Sequence, residues 1–336
     1  MKKIGVCVIG SGRAGMIHAE NFAKNVPGAR LAAIADPALE VARSANLGAL
    51  CFYEDYKHAL LDNNVDAVII ATPTKFHRDI AIDAANAKKH VLCEKPMAMT
   101  VEECQDMNKA AASNKIILQI GFMRRYDSGF IQAKEVVDSG AIGDVVMVRS
   151  NTRGPSIPKP WMYDIKKSNG PLAEVNSHDI DTLRWFTASE FKSVYAIGGN
   201  FRSPEAKKDF PDFYDNVVLA AEFENGMQGM IDGAQGVGYS YDARTEILGT
   251  KGCVFVGHIN DKSVLTYTAD SNRGSFPLVR SWTTLFKEAY LAEDIAFVDS
   301  ITNQTPPKTS GFDGEMAVKV VAGGNLSIAE KRIVKL

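Results

Sequence analysis

"KIGVCVIGSGRAG", residues 3–15, decides the fold. An apolar run stops at a glycine-rich turn, "GSGRAG" (10–15), and a helix-like segment from Ala14 to Asn25 follows. The hexamer fits G-x-G-x-x-G, which by itself is common in turns. A strand directly before it and a helix directly after it are the context that dinucleotide binding requires. Gly10 permits the tight turn, Gly12 lets a pyrophosphate approach the backbone, and Gly15 allows close helix–strand packing. Arg13 and Ala14 are further cofactor-binding candidates at the start of the helix segment, whose N-terminal N–H groups and partial positive charge suit phosphates. Asp36 closes the second strand, 21 positions after Gly15. A carboxylate there can accept hydrogen bonds from both adenosine ribose hydroxyls and repels a 2′-phosphate, so NAD is expected over NADP. A plain structural turn with a capping Asp is the alternative.

Outward from this stretch, strand and helix patterns alternate. Strand-like runs lie at 3–10, 30–36, 66–72, 90–96 and 115–122, with a short one at Cys51–Tyr53. Helix-like segments run Ala14–Asn25, Leu39–Leu47, Tyr56–Leu61, Phe76–Ala87 and Val101–Asn114. The strands are apolar throughout, as a parallel sheet covered by helices on both faces demands. A doubly wound α/β domain is predicted over 1–124. From 125 the pattern changes: after a helix at "SGFIQAKEVVDSG" come strands at 144–153, 191–201, 214–224, 227–236, 241–250, 252–257 and 263–269. Turns such as "ENG" (224–226) and "TKG" (250–252) make this sheet antiparallel. One helix over 171–187 interrupts it, a long Pro/Gly-rich loop spans 153–171, and helices over 283–303 and 312–331 close the chain. A second domain over 125–336 is expected.

Composition excludes several classes. Hydrophobic residues at 46% and charged residues at 23% are globular values, and a formal charge of −2 argues against nucleic acid or anionic lipid as partners. No apolar run spans a bilayer, and the first run is too short for a secretory core. Five cysteines without a CxxC pair point to a reduced, cytoplasmic protein, and six scattered histidines offer no metal cluster.

In an open parallel sheet, ligands sit beyond the carboxyl ends of the strands. "ATPTKFHRD" (71–79) ends the fourth strand, which places Thr72 and Pro73 where the nicotinamide half would lie. His77, in the first turn of the next helix, is expected as a structural or cofactor-packing residue. "LCEKPMAMT" (92–100) ends the fifth strand with Glu94, Lys95 and Pro96.

"GSGRAG", "ATPTKFH", "EKP", "GFMRRYD" and "NSHDID" occur in this order. Over the whole chain this resembles the oxidoreductase family typified by glucose–fructose oxidoreductase and inositol 2-dehydrogenase, with "EKPMAMT" and "GFMRRYD" nearest its inositol-dehydrogenase-like branch. The resemblance implies an N-terminal Rossmann domain, a C-terminal α/β domain with an open, mostly antiparallel sheet that makes oligomer contacts, and a site in the cleft between them. It assigns Lys95 to the substrate-side lysine and His178 to the catalytic histidine. Glu174 stands where the family usually has Asp, and Gly154 follows Arg153 where the inositol branch often has Asn. Tyr290 and Trp161 match or suggest substrate contacts, and Arg124 and Arg153 join them as candidates, with Glu94 beside the cofactor.

Such a site implies NAD-dependent oxidation of a ring secondary hydroxyl. The cofactor takes the hydride, so the protein positions the alcohol and accepts the proton. An imidazole, with an ordinary pKa of about 6.5, suits the base. Glu174 and His178, at i, i+4 on one predicted helix, would share a face so that the carboxylate orients the ring. Asp181 is a possible second orienter. Lys95 would hold the reacting oxygen and stabilise alkoxide charge. The expected substrate is a cyclic polyol, the inositol type first; a sugar or sugar derivative is the alternative that the departures at 154 and 174 keep open, and a non-catalytic dinucleotide-sensing regulator is the rival of another class. A homo-oligomer, tetramer or dimer, is expected.

Overall fold

The computed structural model describes residues 3–49, 51–259, 266–268, 273–275 and 277–336. By its contacts the chain forms two compact units, each discontinuous: Met1–Asp127 with Glu288–Lys319, and Ser128–Lys287 with Val320–Leu336. A single cut after residue 124 therefore does not divide the chain. Glu288–Lys319, placed by the sequence reading in the second domain, packs in the first unit.

The first unit begins with β1 (Ile4–Ile9), α1 (Arg13–Lys24), β2 (Ala29–Ala35), α2 (Glu40–Ser44), β3 (Cys51–Tyr53) and α3 (Tyr56–Leu61). It continues with β4 (Ala67–Ile70), α4 (His77–Asn86), β5 (His90–Glu94), α5 (Val101–Asn114) and β6 (Leu118–Gly121). The six strands pair in parallel in the order β3-β2-β1-β4-β5-β6. The order reverses between β1 and β4, which opens a crevice at their carboxyl ends. Val6, Val8, Ile34, Ile69 and Leu92 are wholly buried, as continuous apolar strands between two helical layers should be. The predicted strand over 115–122 shortens to β6 because Lys115, at φ 56°, forms the left-handed cap of α5.

The second unit holds α6 (Ser128–Asp138), β7 (Val145–Gly154), α7 (Ile165–Ser168), α8 (Gly170–Glu174), α9 (Ser177–Thr187), β8 (Phe191–Gly199), β9 (Asn216–Phe223), β10 (Gln228–Gln235), β11 (Asp242–Gly249) and β12 (Cys253–Val256). The short strands β13 (Thr266–Thr268) and β14 (Arg273–Ser275) pair with each other; residues 263–265 and 269 of the predicted strand lie outside the described residues. Then come α10 (Trp282–Leu285), α11 (Lys287–Asn303), α12 (Gly311–Glu330) and β15 (Val334–Lys335). The main sheet has the order β12-β11-β7-β10-β9-β8-β15. It is antiparallel except for β7 with β10, a parallel pair that hairpin reasoning does not foresee. α11 returns to the first unit, where Phe297 and Val298 join Phe22 of α1 and Leu31 of β2 in one apolar cluster.

The single helix expected over 171–187 is two. α8 ends at Glu174; the Val175 and Asn176 N–H groups both reach back to the Pro171 carbonyl oxygen, at 2.9 and 3.1 Å, and α9 starts at Ser177. The break has a tertiary cause. The Asn176 side chain lies so close over β10 that a Cβ at Gly233 would stand 2.0 Å from its Oδ1.

Candidate active site

Three glycines shape the turn after β1. Gly10 has φ +100°, and a Cβ there would stand 2.7 Å from the Ala71 carbonyl oxygen. A Cβ at Gly15 would fall 1.9 Å from the Gly10 carbonyl oxygen, so α1 sits against its own loop. Gly12 is the opposite case: it is exposed, and a Cβ would meet nothing within 4 Å. The backbone at the start of α1 is open here, and no side chain caps the helix N-terminus. Arg13 and Ala14 are the first helical residues. Donor N–H groups, the helix dipole and open space together suit a pyrophosphate.

Asp36 follows β2. Its Oδ2 accepts from the Ser11 N–H at 2.6 Å and its Oδ1 from the Ala38 N–H at 2.8 Å. These bonds fix the carboxylate beside the phosphate loop, and each oxygen retains a second lone pair for a ribose hydroxyl. Asp36→Ala is expected to weaken NAD by about 2–3 kcal/mol, roughly 30- to 150-fold, with little effect on NADP. Titration with both reduced cofactors checks this, and an equal loss for the two would refute the ribose assignment.

At the carboxyl end of β4, the Thr72 hydroxyl is buried with no hydrogen-bond partner among the described residues, as a group awaiting a ligand would be. Pro73 beside it is exposed. His77 is 1% exposed and bridges two loops, with Nε2 2.8 Å from the Thr72 carbonyl oxygen and Nδ1 2.9 Å from that of Pro96. Burial holds its pKa below the ordinary value despite these bonds. His77 thus lies between the loops after β4 and β5, each ring nitrogen within hydrogen-bond distance of a carbonyl oxygen of one of them. Lys95 follows β5, half-buried, and its backbone N–H donates to Glu94 Oε2 at 3.2 Å.

In the second unit, His178 is the second residue of α9 and 5% exposed. Its helix start is clamped through Asp179, which accepts from Asn176 Nδ2 at 2.7 Å and from Ser150 Oγ at 2.6 Å. Thr182 Oγ1 donates to the His178 carbonyl oxygen at 2.7 Å. Asp181, 1% exposed, lies on the same buried helix. Glu174 ends the preceding helix, so the argument from i, i+4 spacing on one helical face does not hold. The start of α8 is held separately, by Tyr214 Oη accepting from the Leu172 N–H at 3.3 Å and donating to Asn325 Oδ1 at 2.7 Å.

Other candidates fall elsewhere. Ser150 and Thr152 of β7, 0% and 1% exposed, lie on the face that Asp179 of α9 engages. Strand alternation turns Arg153 to the opposite face, where its guanidinium pairs with Asp232 of β10. The structure therefore does not bring Arg153 to His178. Trp161 is 42% exposed on a single turn at Pro160–Tyr163. Arg124 is 1% exposed, and its neighbour Arg125 pairs with Asp313 at 2.9 Å. Tyr290, on α11, is 3% exposed and packs edge-on against His18. Sequence reasoning passed over His18 and Asp294, which meet in the first unit. Among the described residues no group of side chains could hold a metal ion and no helix is long and apolar enough to cross a membrane.

Comparison with known proteins identifies the family. Residues 4–122 match the oxidoreductase family, NAD-binding Rossmann fold, and residues 130–255 match the C-terminal domain of the same Gfo/Idh/MocA family. Myo-inositol 2-dehydrogenase of Thermotoga maritima is 35% identical over 331 residues, 98% of this chain and 97% of that protein. The NAD-dependent scyllo-inositol 2-dehydrogenase of Bacillus subtilis is 33% identical over 317 residues, 93% and 90% of the two chains. A crystal structure of scyllo-inositol dehydrogenase from Lactobacillus casei, with bound NAD(H) and scyllo-inositol, superposes with a TM-score of 0.90 at 29% identity, covering 99% of each chain. These matches make the chain a member of the Gfo/Idh/MocA oxidoreductase family with an NAD-binding Rossmann domain.

Proposed function

We propose that this protein is an NAD-dependent dehydrogenase that oxidises a ring secondary hydroxyl of a cyclic polyol, an inositol first. The observation that carries the reading is its likeness to the two inositol 2-dehydrogenases at 35% and 33% identity over nearly the whole chain. When bound, the nicotinamide accepts hydride from the carbinol carbon. The Lys95 ammonium holds the hydroxyl oxygen and stabilises the negative charge that develops there. His178 takes the hydroxyl proton on its imidazole, from a helix start that Asp179 keeps rigid. The sequence expectation that Glu174 orients that ring has its own test: if it does, Glu174→Gln shifts the acid limb of the pH–rate profile. A superimposable profile would make the carboxylate structural.

The test is a panel of inositols, pentoses, hexoses and sugar phosphates, read by NADH production. Turnover of myo- or scyllo-inositol above all others is the expected result. Preference for a sugar would favour the second reading, which the departures at Glu174 and Gly154 support. No turnover of any alcohol, with NADH still bound, would favour a sensing regulator. The protein is further read as a cytoplasmic homo-oligomer, a tetramer or dimer. Supporting this, Tyr195, Ile197 and Val218 stand exposed side by side on β8 and β9, and all five cysteines are free.

A further inference from the structure

A concentration of buried charge lies behind the phosphate loop, within the first unit. His18 of α1 and Asp294 of α11 are both 0% exposed, and Glu94 at the end of β5 is 5% exposed. His18 Nδ1 lies 2.7 Å from Asp294 Oδ1, and Nε2 lies 3.1 Å from Glu94 Oε1. The remaining oxygens are also engaged. Asn21 Nδ2 donates to Asp294 Oδ2 at 2.8 Å, and the Lys95 backbone N–H donates to Glu94 Oε2 at 3.2 Å. Gly121 on the neighbouring strand leaves the Glu94 carboxylate its place, since a Cβ there would stand 3.1 Å from it. The Tyr290 ring closes the fourth side, 5.5 Å from the imidazole and inclined at 75°.

Ionised carboxylates only accept, so the ring satisfies both by carrying both protons. Burial opposes that state, but Asp294 and Glu94 outweigh it and raise the His18 pKa well above its ordinary value. Burial also pushes the Asp294 carboxyl up. With the Nδ1 proton on the ring or on Asp294, Nε2–H remains to donate to Glu94.

We propose that His18 is a positioning residue: held by Asp294, it donates Nε2–H to Glu94, which in turn fixes the Lys95 backbone N–H and so the angle at which Lys95 leaves β5. The inference rests on the reading of Lys95 as the group that holds the reacting hydroxyl. Three elements distant in sequence meet in it, and the acid on α11 sets the tautomer of a ring on α1.

The full-length chain is assayed with NAD and myo- or scyllo-inositol, and NADH affinity is read separately by fluorescence. His18→Leu is expected to lower kcat by about 10²-fold, the scale of a misplaced catalytic group, while NADH affinity stays at its original value. Asp294→Leu should do the same. Asp294→Asn should retain turnover, because its amide can donate to Nδ1 and leave Nε2–H on Glu94. Unchanged kcat in both leucine variants, or equal loss in Asp294→Asn and Asp294→Leu, would overturn the proposal. Should leucine at 18 or 294 prevent folding, the original chain decides. With isotope-labelled histidine at about pH 8, the ring whose signals move in Asp294→Asn should carry a proton on Nε2. A proton on Nδ1 alone overturns the proposal. Lys95→Ala separates the two levels. If it is impaired while His18→Leu is not, the inference alone falls; if it turns over at full rate, the reading of Lys95 falls with it.

Discussion

His178→Ala is expected to lower kcat by 10²- to 10⁴-fold, or about 3–5 kcal/mol of transition-state stabilisation, with NADH affinity retained. The physical reason is the separation of tasks. On the proposed reading the hydride acceptor is bound by the glycine loop and Asp36, all in the first unit, whereas His178 sits at the start of α9 in the second. Losing the imidazole would remove the proposed proton acceptor and leave the turn at Gly12 untouched. The pH–rate profile should lose the acid limb that a histidine base imposes, because hydroxide or water then takes the proton. Steady-state rates across pH, beside NADH fluorescence titration, check both parts. Turnover within a few-fold of the original chain would remove His178 from the chemistry.

Lys95→Ala is expected to cost about 10²- to 10³-fold in kcat, the scale of a lost preorganised charge facing a developing oxyanion. Its signature differs from that of His178: the pH limb should remain and only the plateau should fall. Lys95→Arg should not restore the rate, since a guanidinium is a planar fork and not a compact point charge. Rates for the three proteins with one inositol at saturating NAD decide it. A Lys95→Ala enzyme with an unchanged plateau and a displaced limb would make the lysine a tuner of the base.

The first unit was legible because its strands are buried on both faces and end on punctuation. Cys51–Tyr53, Tyr56–Leu61 and Val101–Asn114 are elements whose limits a reader of the sequence finds without help. The break before α9 was hidden for a physical reason: neither Val175 nor Asn176 is a helix breaker, and the interruption comes from Asn176 seated over Gly233 of β10. The face of β7 was hidden as well. Its inner positions Ser150 and Thr152 are as polar as its outer ones, because Ser150 is hydrogen-bonded to Asp179 and Thr245, so period two carries no contrast there. His18 left a partial trace. It shares the buried side of α1 with Gly15, Ala19 and Phe22, which marks a histidine in a core. Its partner stands 276 residues away, a distance across which no local pattern points.

Because Glu288–Lys319 belongs to the first unit, that half of the molecule cannot be completed when residue 127 leaves the ribosome. Phe297, Val298 and Asp294 are translated only after six of the seven strands of the second unit's main sheet, so a nascent first sheet waits with part of its apolar flank and His18 uncovered. Cutting the gene after the last parallel strand would not yield a portable nucleotide cassette. The far end of the message supplies the piece that seals it.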